Sequence, residues 1–308
     1  MDTPRWHSTA VGCSGVDFFG HMRKAQTSRD LGSTRSSRWP LWLVGSILLL
    51  VSGAWLVQSA QSRPERCEGR AMGCQWTLLT RETIVAEASL HGEVARVLEH
   101  WEQVMSSWRS DSDLQRFQQG KPATKDLLRV IDLAASLRRQ TGGAFDERVG
   151  AAVHRAGFAP AGCGIDLSAI GKGFAVDRVA ERLRELGYRD FLFQLAGETI
   201  AGDAAWQVAL ESPDPTITKI SQRVTLCRQA LATSGNYRQF VRGKNGEIVS
   251  HLINPATGEP VIRDWSAVTV IAADAATADA WATACFVSGK TQAGKGMRVI
   301  WQPVDAAN

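Results

Sequence analysis

The feature that most constrains this chain is an unbroken run of 24 residues without a charged side chain. The run spans residues 39–62 and reads WPLWLVGSILLLVSGAWLVQSAQS. A helix needs roughly 20 mostly apolar residues to cross the hydrocarbon core of a membrane, and this run supplies them. The chain is therefore expected to have three segments: a basic tail at 1–38, a transmembrane anchor or signal sequence at 39–62, and a folded body at 63–308.

The charge next to this run predicts its orientation. Residues 1–38 contain six Lys or Arg and three Asp, a local net charge of +3. Such an excess stays on the cytoplasmic side, so we expect an anchor in the inner (cytoplasmic) membrane with the body on the periplasmic side. The alternative is a signal sequence cleaved after VQSA, which releases the body into the periplasm. Translation could start at Met1 or at Met22, which precedes Arg23 and Lys24.

The composition of the body excludes some partners. The whole chain has a net charge of +4, which leaves about +1 for residues 39–308, so nothing in the charge favours nucleic acid as a partner. The six cysteines form no CxxC pair, so zinc and thioredoxin-type chemistry lack support. In an exported body, Cys67 and Cys74 could form a disulfide.

The body has alternating strand and helix patterns. Strand patterns lie at 74–80, 191–197, 206–211, 224–232, 248–253, 267–272 and 297–303. Helical spacing appears at 82–105, at 125–140, over the segment that Gly187 ends, and at 277–289, while 59–69 has the composition of a polar linker. The mixture predicts an α+β (mixed α/β) body with antiparallel pairing in its second half.

The helix TADAWATACFVSG, residues 277–289, carries a carboxylate and a hydroxyl one turn apart. Asp279 and Thr283 are spaced i and i+4, so both can face one ion. Magnesium prefers oxygen ligands and usually keeps several places for water or substrate phosphates. The alternative is purely structural: Asp279 favours the positive end of the helix dipole, and Thr283 bonds back to a backbone carbonyl.

Two further motifs carry polar chemistry. DLSAIGKGFAVD, residues 166–177, places Lys172 between two glycines at a loop-to-helix junction, which suits an anion such as phosphate. It is not a Walker loop, and a solvated lysine in a tight loop is the alternative. His251 ends a strand before the turn NPATG, but a lone histidine is more often structural than catalytic.

The order of the motifs resembles the ApbE family of FAD:protein FMN transferases. The resemblance rests on MGC, SSWRSDSDLQRF, TGGAFD, DLSAIGKGFAVD, FQLAGE, TSGNY, HLINPATG and TADAWATA, in that order across about residues 70–289. It implies an ApbE-like fold of antiparallel sheets and packed helices. It also implies magnesium-dependent transfer of the FMN half of FAD to a Thr or Ser hydroxyl of a target flavoprotein, with release of AMP.

The resemblance also assigns roles to individual positions. The implied magnesium ligands are Asp279, Thr283 and the backbone carbonyl of Ala169. The implied contacts to FAD are Met72, Trp108, Ala144, Phe145, Asp146, Asp166, Lys172 and, in the histidine turn, Ile253. Asn236 and Asn254 stand where the family commonly has Asp, which would weaken a second metal site.

Several alternatives stay open from the sequence. Lys172 could add positive charge near the diphosphate, and Asp279, Asp146 and His251 are candidates to take the proton of the acceptor hydroxyl. A hydrolase that splits FAD into FMN and AMP, or a non-catalytic FAD-binding module, would use the same site. A respiratory complex of the membrane is one candidate target.

Overall fold

The computed structural model describes residues 63–160, 164–214, 219–236, 240–242, 248–262, 266–290 and 293–303. The predicted tail at 1–38 and the apolar segment at 39–62 lie outside these residues. Among the helices that are described, none has both the length and the apolar character that a membrane crossing requires.

The described strands form one large antiparallel sheet and two small ones. The large sheet has seven strands in the order β1-β2-β3-β4-β7-β11-β12, while β10-β9-β8 and β5-β6 form the small sheets. The bounds are β1 Glu65–Ala71, β2 Cys74–Thr80, β3 Phe191–Leu195, β4 Glu198–Ala201, β5 Trp206–Glu211, β6 Ile220–Leu226, β7 Ala230–Gly235, β8 Phe240–Arg242, β9 Ile248–Asn254, β10 Glu259–Ile262, β11 Ser266–Ala272 and β12 Arg298–Pro303. The predicted mixed fold with antiparallel sheets is therefore confirmed.

Helices cover this sheet and bury its apolar side chains. They are α1 Glu87–Met105, α2 Asp113–Gln118, α3 Lys125–Gln140, α4 Gly150–Arg155 after a 3₁₀ turn at Glu147–Val149, α5 Ser168–Glu185 and α6 Ala275–Ser288. The main core joins residues of α1, α3, α5 and α6 to the inner side of β2 and β3, including Trp76, Phe174 and Phe193. In this core α5 packs against α6, and these two helices carry Lys172 and Asp279.

The helix at 125–140 was predicted with its observed bounds because local signals mark both ends. The side chain of Thr124 accepts the N–H of Leu127 and so satisfies one free donor at the start. After the helix, Gly142 and Gly143 adopt positive φ. Between these ends, Leu127, Val130, Ala134 and Leu137 form one buried face.

The prediction of a polar linker at 59–69 is wrong from Glu65 onward, where β1 begins. This strand lies at the edge of the sheet and buries only Cys67, so its sequence lacks an apolar alternation. The register places Cys67 opposite Leu78 and Cys74 opposite Ala71. The two cysteines therefore stand four positions apart along the hairpin, and the suggested disulfide between them does not form.

The prediction of one strand at 224–232 is also wrong. The segment belongs to β6 and β7, which lie in different sheets. Arg228 turns the chain between them with a positive φ of 52°, and its N–H donates to the carbonyl of Gly202 at 2.8 Å. A non-glycine residue rarely adopts this conformation, so the sequence carries no local signal for the break. The helix predicted from Glu82 begins five residues later, at Glu87.

Candidate active site

The helix α6 is buried on every side between α5 and the sheet. Its sequence is mostly alanine, and Ala275, Ala278, Ala280 and Ala282 have no measurable exposure. A helix that is apolar all round belongs in the interior, where an isolated charge is costly. Nevertheless Asp279 is only 4% exposed and Thr283 only 8%. Two polar side chains in the interior need a bonding partner or a functional role that offsets the cost of their burial.

Gly173 of α5 brings the two helices into direct backbone contact. A Cβ at Gly173 would stand 2.3 Å from the carbonyl oxygen of Ala275 and 2.9 Å from Cα of Ala276. No side chain fits there, so glycine is required for this packing. The same residue donates its N–H to Oδ2 of Asp279 at 3.1 Å. The close approach therefore fixes one oxygen of the buried carboxylate.

Lys172, Glu198 and Asp279 form a charged cluster at this helix pair. The Lys172 Nζ lies 3.5 Å from Oε1 of Glu198, which is the first residue of β4 and is almost fully buried. Burial would lower the pKa of Lys172, but the charges of Glu198 and Asp279 outweigh it and raise that pKa. Burial raises the pKa of Glu198 to about 7 and also raises the pKa of Asp279, although Lys172 opposes both. Lys172 is therefore a permanent cation, and it lies beside two carboxyl groups whose ionised form is destabilised by burial.

The hydroxyl of Thr283 is oriented by the sheet. Its Oγ1 lies 3.0 Å from Oγ of Ser234 on β7, and either hydroxyl can be the donor. When Thr283 donates to Ser234, its lone pairs remain available to a cation. The hydroxyl stands one helical turn from the carboxylate of Asp279, which gives two hard oxygen donors on one face.

Ala169, whose carbonyl is predicted to be a magnesium ligand, lies in the first turn of α5. In a regular helix the N–H of residue 173 would bond to the carbonyl of residue 169. Here the Gly173 N–H also serves Asp279, which brings the carboxylate to the same turn of α5. Within the described residues, no three His, Cys, Asp or Glu side chains cluster as a metal site. The predicted oxygen set fits magnesium only if water and phosphate oxygens supply the remaining places.

Met72 lies at the tip of the β1-β2 hairpin. Met72 and Gly73 both adopt positive φ, 51° and 70°, as a two-residue hairpin loop requires. The Met72 N–H donates to Oε2 of Glu102 on α1 at 2.9 Å. Cys74, two residues after Met72, interacts electrostatically with Lys172. The hairpin tip is thus tied to α1 and borders the charged cluster.

Asp146 is held by arginines. It accepts the N–H, Nε and a terminal nitrogen of Arg148 at 2.7–2.9 Å, and Nε of Arg138 lies 3.9 Å away. Burial would raise the pKa of Asp146, but Arg148 outweighs it and lowers that pKa. Its neighbour Phe145 is buried in the core, and Ala144 packs against the same core. Asp146 is therefore ionised, is fixed in place by Arg148, and is a weak base.

The other predicted contacts have different surroundings. Asp166 accepts the N–H of Ser168 at 2.8 Å and a short bond from its hydroxyl, which shapes the start of α5. Trp108 is 67% exposed after α1, open for a ligand to stack. Ile253 is buried in a small apolar cluster with Val153, and the ring of His251 lies 6.1 Å from that of Phe158. Within the part of the chain that the structure describes, the ion-pair partner of Lys172 is Glu198 and not one of these residues.

Two residues that the sequence prediction did not assign to the site lie against it. Glu198 begins β4, and its position beside Lys172 depends on the pairing of β4 with β3 and β7. Asp177 is buried and accepts the N–H of Ala275 at 2.7 Å and of Ala276 at 2.9 Å. It stands inside the quoted DLSAIGKGFAVD motif, but no spacing rule connects it to residues 98 positions away.

The fold and the site together define a class. Ionisable groups with shifted pKa values, buried next to a glycine-rich helix start, are typical of an enzyme site for an anionic ligand. The sequence profile described as the ApbE family matches residues 72–163 and 157–304. The chain belongs to the ApbE family.

Sequence and structure relatives agree with this membership. An FAD:protein FMN transferase of Haemophilus influenzae is 30% identical over 255 residues, which cover 66% of this chain and 73% of that protein. A Vibrio cholerae protein of the same name is 29% identical, over 84% and 90% of the two chains. The solved flavin transferase ApbE of Vibrio cholerae has a TM-score of 0.61 at 27% identity, over 73% and 87%. The apo flavinyl transferase ApbE of Pseudomonas stutzeri has a TM-score of 0.65 at 25% identity, over 78% and 95%.

Proposed function

We propose that this chain transfers the FMN portion of FAD to a Thr or Ser hydroxyl of a target flavoprotein and releases AMP, with magnesium bound at α6. The name of its relatives, FAD:protein FMN transferase, supports the substrate and the type of product. The observation that carries the proposal is the buried helical turn of Asp279 and Thr283, which packs against Gly173, the residue after Lys172. The structural alternative for these residues does not account for the lysine and the second carboxylate beside them.

The chain's own residues supply binding and orientation. Lys172 stays protonated at any physiological pH because its pKa is raised, so it can bind the negative diphosphate of FAD. Asp279 and Thr283 would hold the magnesium ion, with the carbonyl of Ala169 as a third protein ligand. Bound magnesium would neutralise charge on the reacting phosphate and on the departing AMP.

The acceptor hydroxyl must lose its proton as the new phosphoester bond forms and the bond to AMP breaks. Of the three candidate bases, Asp146 is the poorest because Arg148 lowers its pKa. Asp279 has a raised pKa and lies in the site. His251 lies on β9, and its ring is 6.1 Å from that of Phe158. A magnesium ion on Asp279 would lower the basicity of that carboxylate, so Asp279 and His251 both stay candidates for the proton.

Transfer is tested with the full-length chain in detergent. The protein is mixed with FAD, magnesium and an extract of cells that lack this chain, and a denaturing gel is viewed under ultraviolet light. We expect one fluorescent band with the wild type and a loss of at least about a hundredfold in rate with Asp279→Ala. Asp132→Ala, at an exposed position of α3, is the matched control. Equal labelling by Asp279→Ala would refute the metal-ligand role.

The same reaction separates the two alternatives. Chromatography of the small molecules measures FMN and AMP. Free FMN and AMP without a fluorescent band would show hydrolysis, and bound FAD without turnover would show a non-catalytic module. Either result would overturn the proposed transfer.

We propose that segment 39–62 anchors the chain in the inner membrane with the body in the periplasm, where a respiratory complex is a candidate target. The charge of residues 1–38 supports this orientation. Sequencing of the mature N-terminus after a carbonate wash of the membranes tests it. A soluble product that begins at or near Gln61 would establish cleavage and refute the anchor.

A further inference from the structure

Asp177 binds the beginning of the helix that carries the proposed magnesium ligands. Its two carboxylate oxygens accept the N–H groups of Ala275 and Ala276, at 2.7 and 2.9 Å. The first four N–H groups of a helix have no partner within it, so a residue of α5 supplies two of the missing bonds. The N-cap residue of α6 itself, Asp274, accepts the N–H of Thr277 with its side chain. The start of α6 is thus held by its own cap and by a second carboxylate from a different helix.

Gly173 makes the second connection between the two helices, one turn before Asp177 on the same face of α5. A Cβ at this position would collide with the backbone of Ala275, and the Gly173 N–H bonds to Asp279. Two successive turns of α5 therefore contact two successive turns of α6. One contact alone would leave α6 free to rotate about it, whereas two contacts along its axis fix both its height and its rotation. The rotation of α6 decides where the carboxylate of Asp279 points.

Stability does not explain the choice of a carboxylate at position 177. Burial raises the pKa of Asp177 to about 7 in spite of the two N–H bonds and of Arg178, and Asp274 adds to the rise. The ionised form is therefore held at a cost to the fold. Such costs are typical of residues that serve function.

We propose that Asp177 is a positioning residue for the metal site: it orients α6 so that Asp279 and Thr283 face the cation together. The inference rests on the proposed function, because it assumes that these two residues bind magnesium. Loss of the Asp177 contacts would let the start of α6 move away from α5 and would misalign the first metal-binding oxygen. Metal affinity would fall although no ligand is altered.

The test measures metal binding directly and without turnover. Manganese replaces magnesium as the probe because it accepts similar oxygen ligands and its free form gives an electron paramagnetic resonance signal. The full-length chain in detergent is titrated with Mn²⁺ at pH 8, where Asp177 is ionised, in the presence of FAD. Asp177→Ala and Asp177→Asn are compared with Asp274→Ala, which removes the other carboxylate at the same helix start. The melting temperature of each variant is recorded by circular dichroism.

We expect Asp177→Ala to raise the Kd for Mn²⁺ by roughly tenfold or more, as the loss of a residue that orients a metal ligand does. Asp177→Asn keeps one acceptor oxygen and should show a smaller rise, while Asp274→Ala should bind nearly as the wild type. Equal affinities for the wild type and both Asp177 variants would overturn the inference alone, and so would an Asp177→Asn variant that fails to fold. A wild type that binds no Mn²⁺ would overturn the proposed metal dependence and this inference with it.

Discussion

Replacement of Gly173 by alanine is the sharpest test of the contact between α5 and α6. Alanine is the better helix former by about 1 kcal/mol, so a helix interior taken alone should gain stability. Here the added Cβ would stand 2.3 Å from the carbonyl oxygen of Ala275 and 2.7 Å from its carbonyl carbon. An ordinary contact is about 3.5 Å, so the helices must separate by about 1 Å.

The clash outweighs the gain in helix propensity. Overpacking of a dense core costs about 1–3 kcal/mol and more where backbone must move, and the obstructing atoms at Gly173 are backbone. The net result should be a loss of about 2 kcal/mol in the free energy of unfolding, measured by urea denaturation of the metal-free protein. The affinity for Mn²⁺ should fall as well, because the N–H bond to Asp279 is broken.

Two other glycines provide matched controls. A Cβ at Gly171, two residues earlier on α5, would meet only the side chain of Met105 at 3.6 Å. At Gly92 on α1 nothing lies within 4 Å. Gly171→Ala should be close to neutral, and Gly92→Ala should gain up to about 1 kcal/mol. If Gly173→Ala were as stable as these controls and bound Mn²⁺ as tightly as the wild type, the described helix contact would be wrong.

Three further predictions follow from single residues. Because burial raises the pKa of Asp177 from 3.8 to about 7, the folded state binds more protons than the unfolded chain between about pH 4 and 7. The free energy of unfolding should therefore fall as the pH rises through that window. In urea titrations at several pH values, Asp177→Asn should reduce this fall by roughly 2–4 kcal/mol. An unchanged pH dependence in the variant would contradict the prediction. Glu198→Gln removes a negative charge beside Lys172, so the Kd for FAD without metal should drop about threefold to tenfold in a fluorescence titration; an unchanged or weaker affinity would count against the cluster. Ala196 has a φ of 52°, so Ala196→Gly should stabilise the fold by about 1 kcal/mol, and a destabilised variant in urea would disprove the strain.

Elements with strong local signals could be predicted from the sequence, and those fixed by distant pairing could not. The helix at Lys125–Gln140 has a cap, one apolar face and two glycines after it, so its bounds were correct. Strand β1 is polar because it is an edge strand, and it exists only through its register with β2. Arg228 forms its turn with a positive φ, and only a glycine at this position would have made such a turn predictable. Neither the pairing of β1 with β2 nor the turn at Arg228 can be predicted from the residues that are adjacent in the sequence.

The candidate site shows the same limit. The spacing of Asp279 and Thr283 was sufficient to predict that both lie on one face of one helix. The glycines that flank Lys172 predicted an anion site, and the resemblance to the ApbE family made that residue a predicted contact to FAD; membership of the family is confirmed. However, the 3.5 Å approach of Lys172 to Glu198 depends on how β4 enters the sheet. The magnesium and flavin contacts themselves stay predictions.

The order of strands in the large sheet has a consequence for how the protein becomes active. Strands β1 to β4 come from the first two-thirds of the body, whereas β7, β11, β12 and the helix α6 come from its last third. Contacts between such remote segments form late in folding. A chain emerging from its N-terminus therefore cannot assemble the pocket until α6 has been released. Loss of the chain from α6 onward would leave six of the seven strands of the large sheet but would remove the helix that carries Asp279 and Thr283.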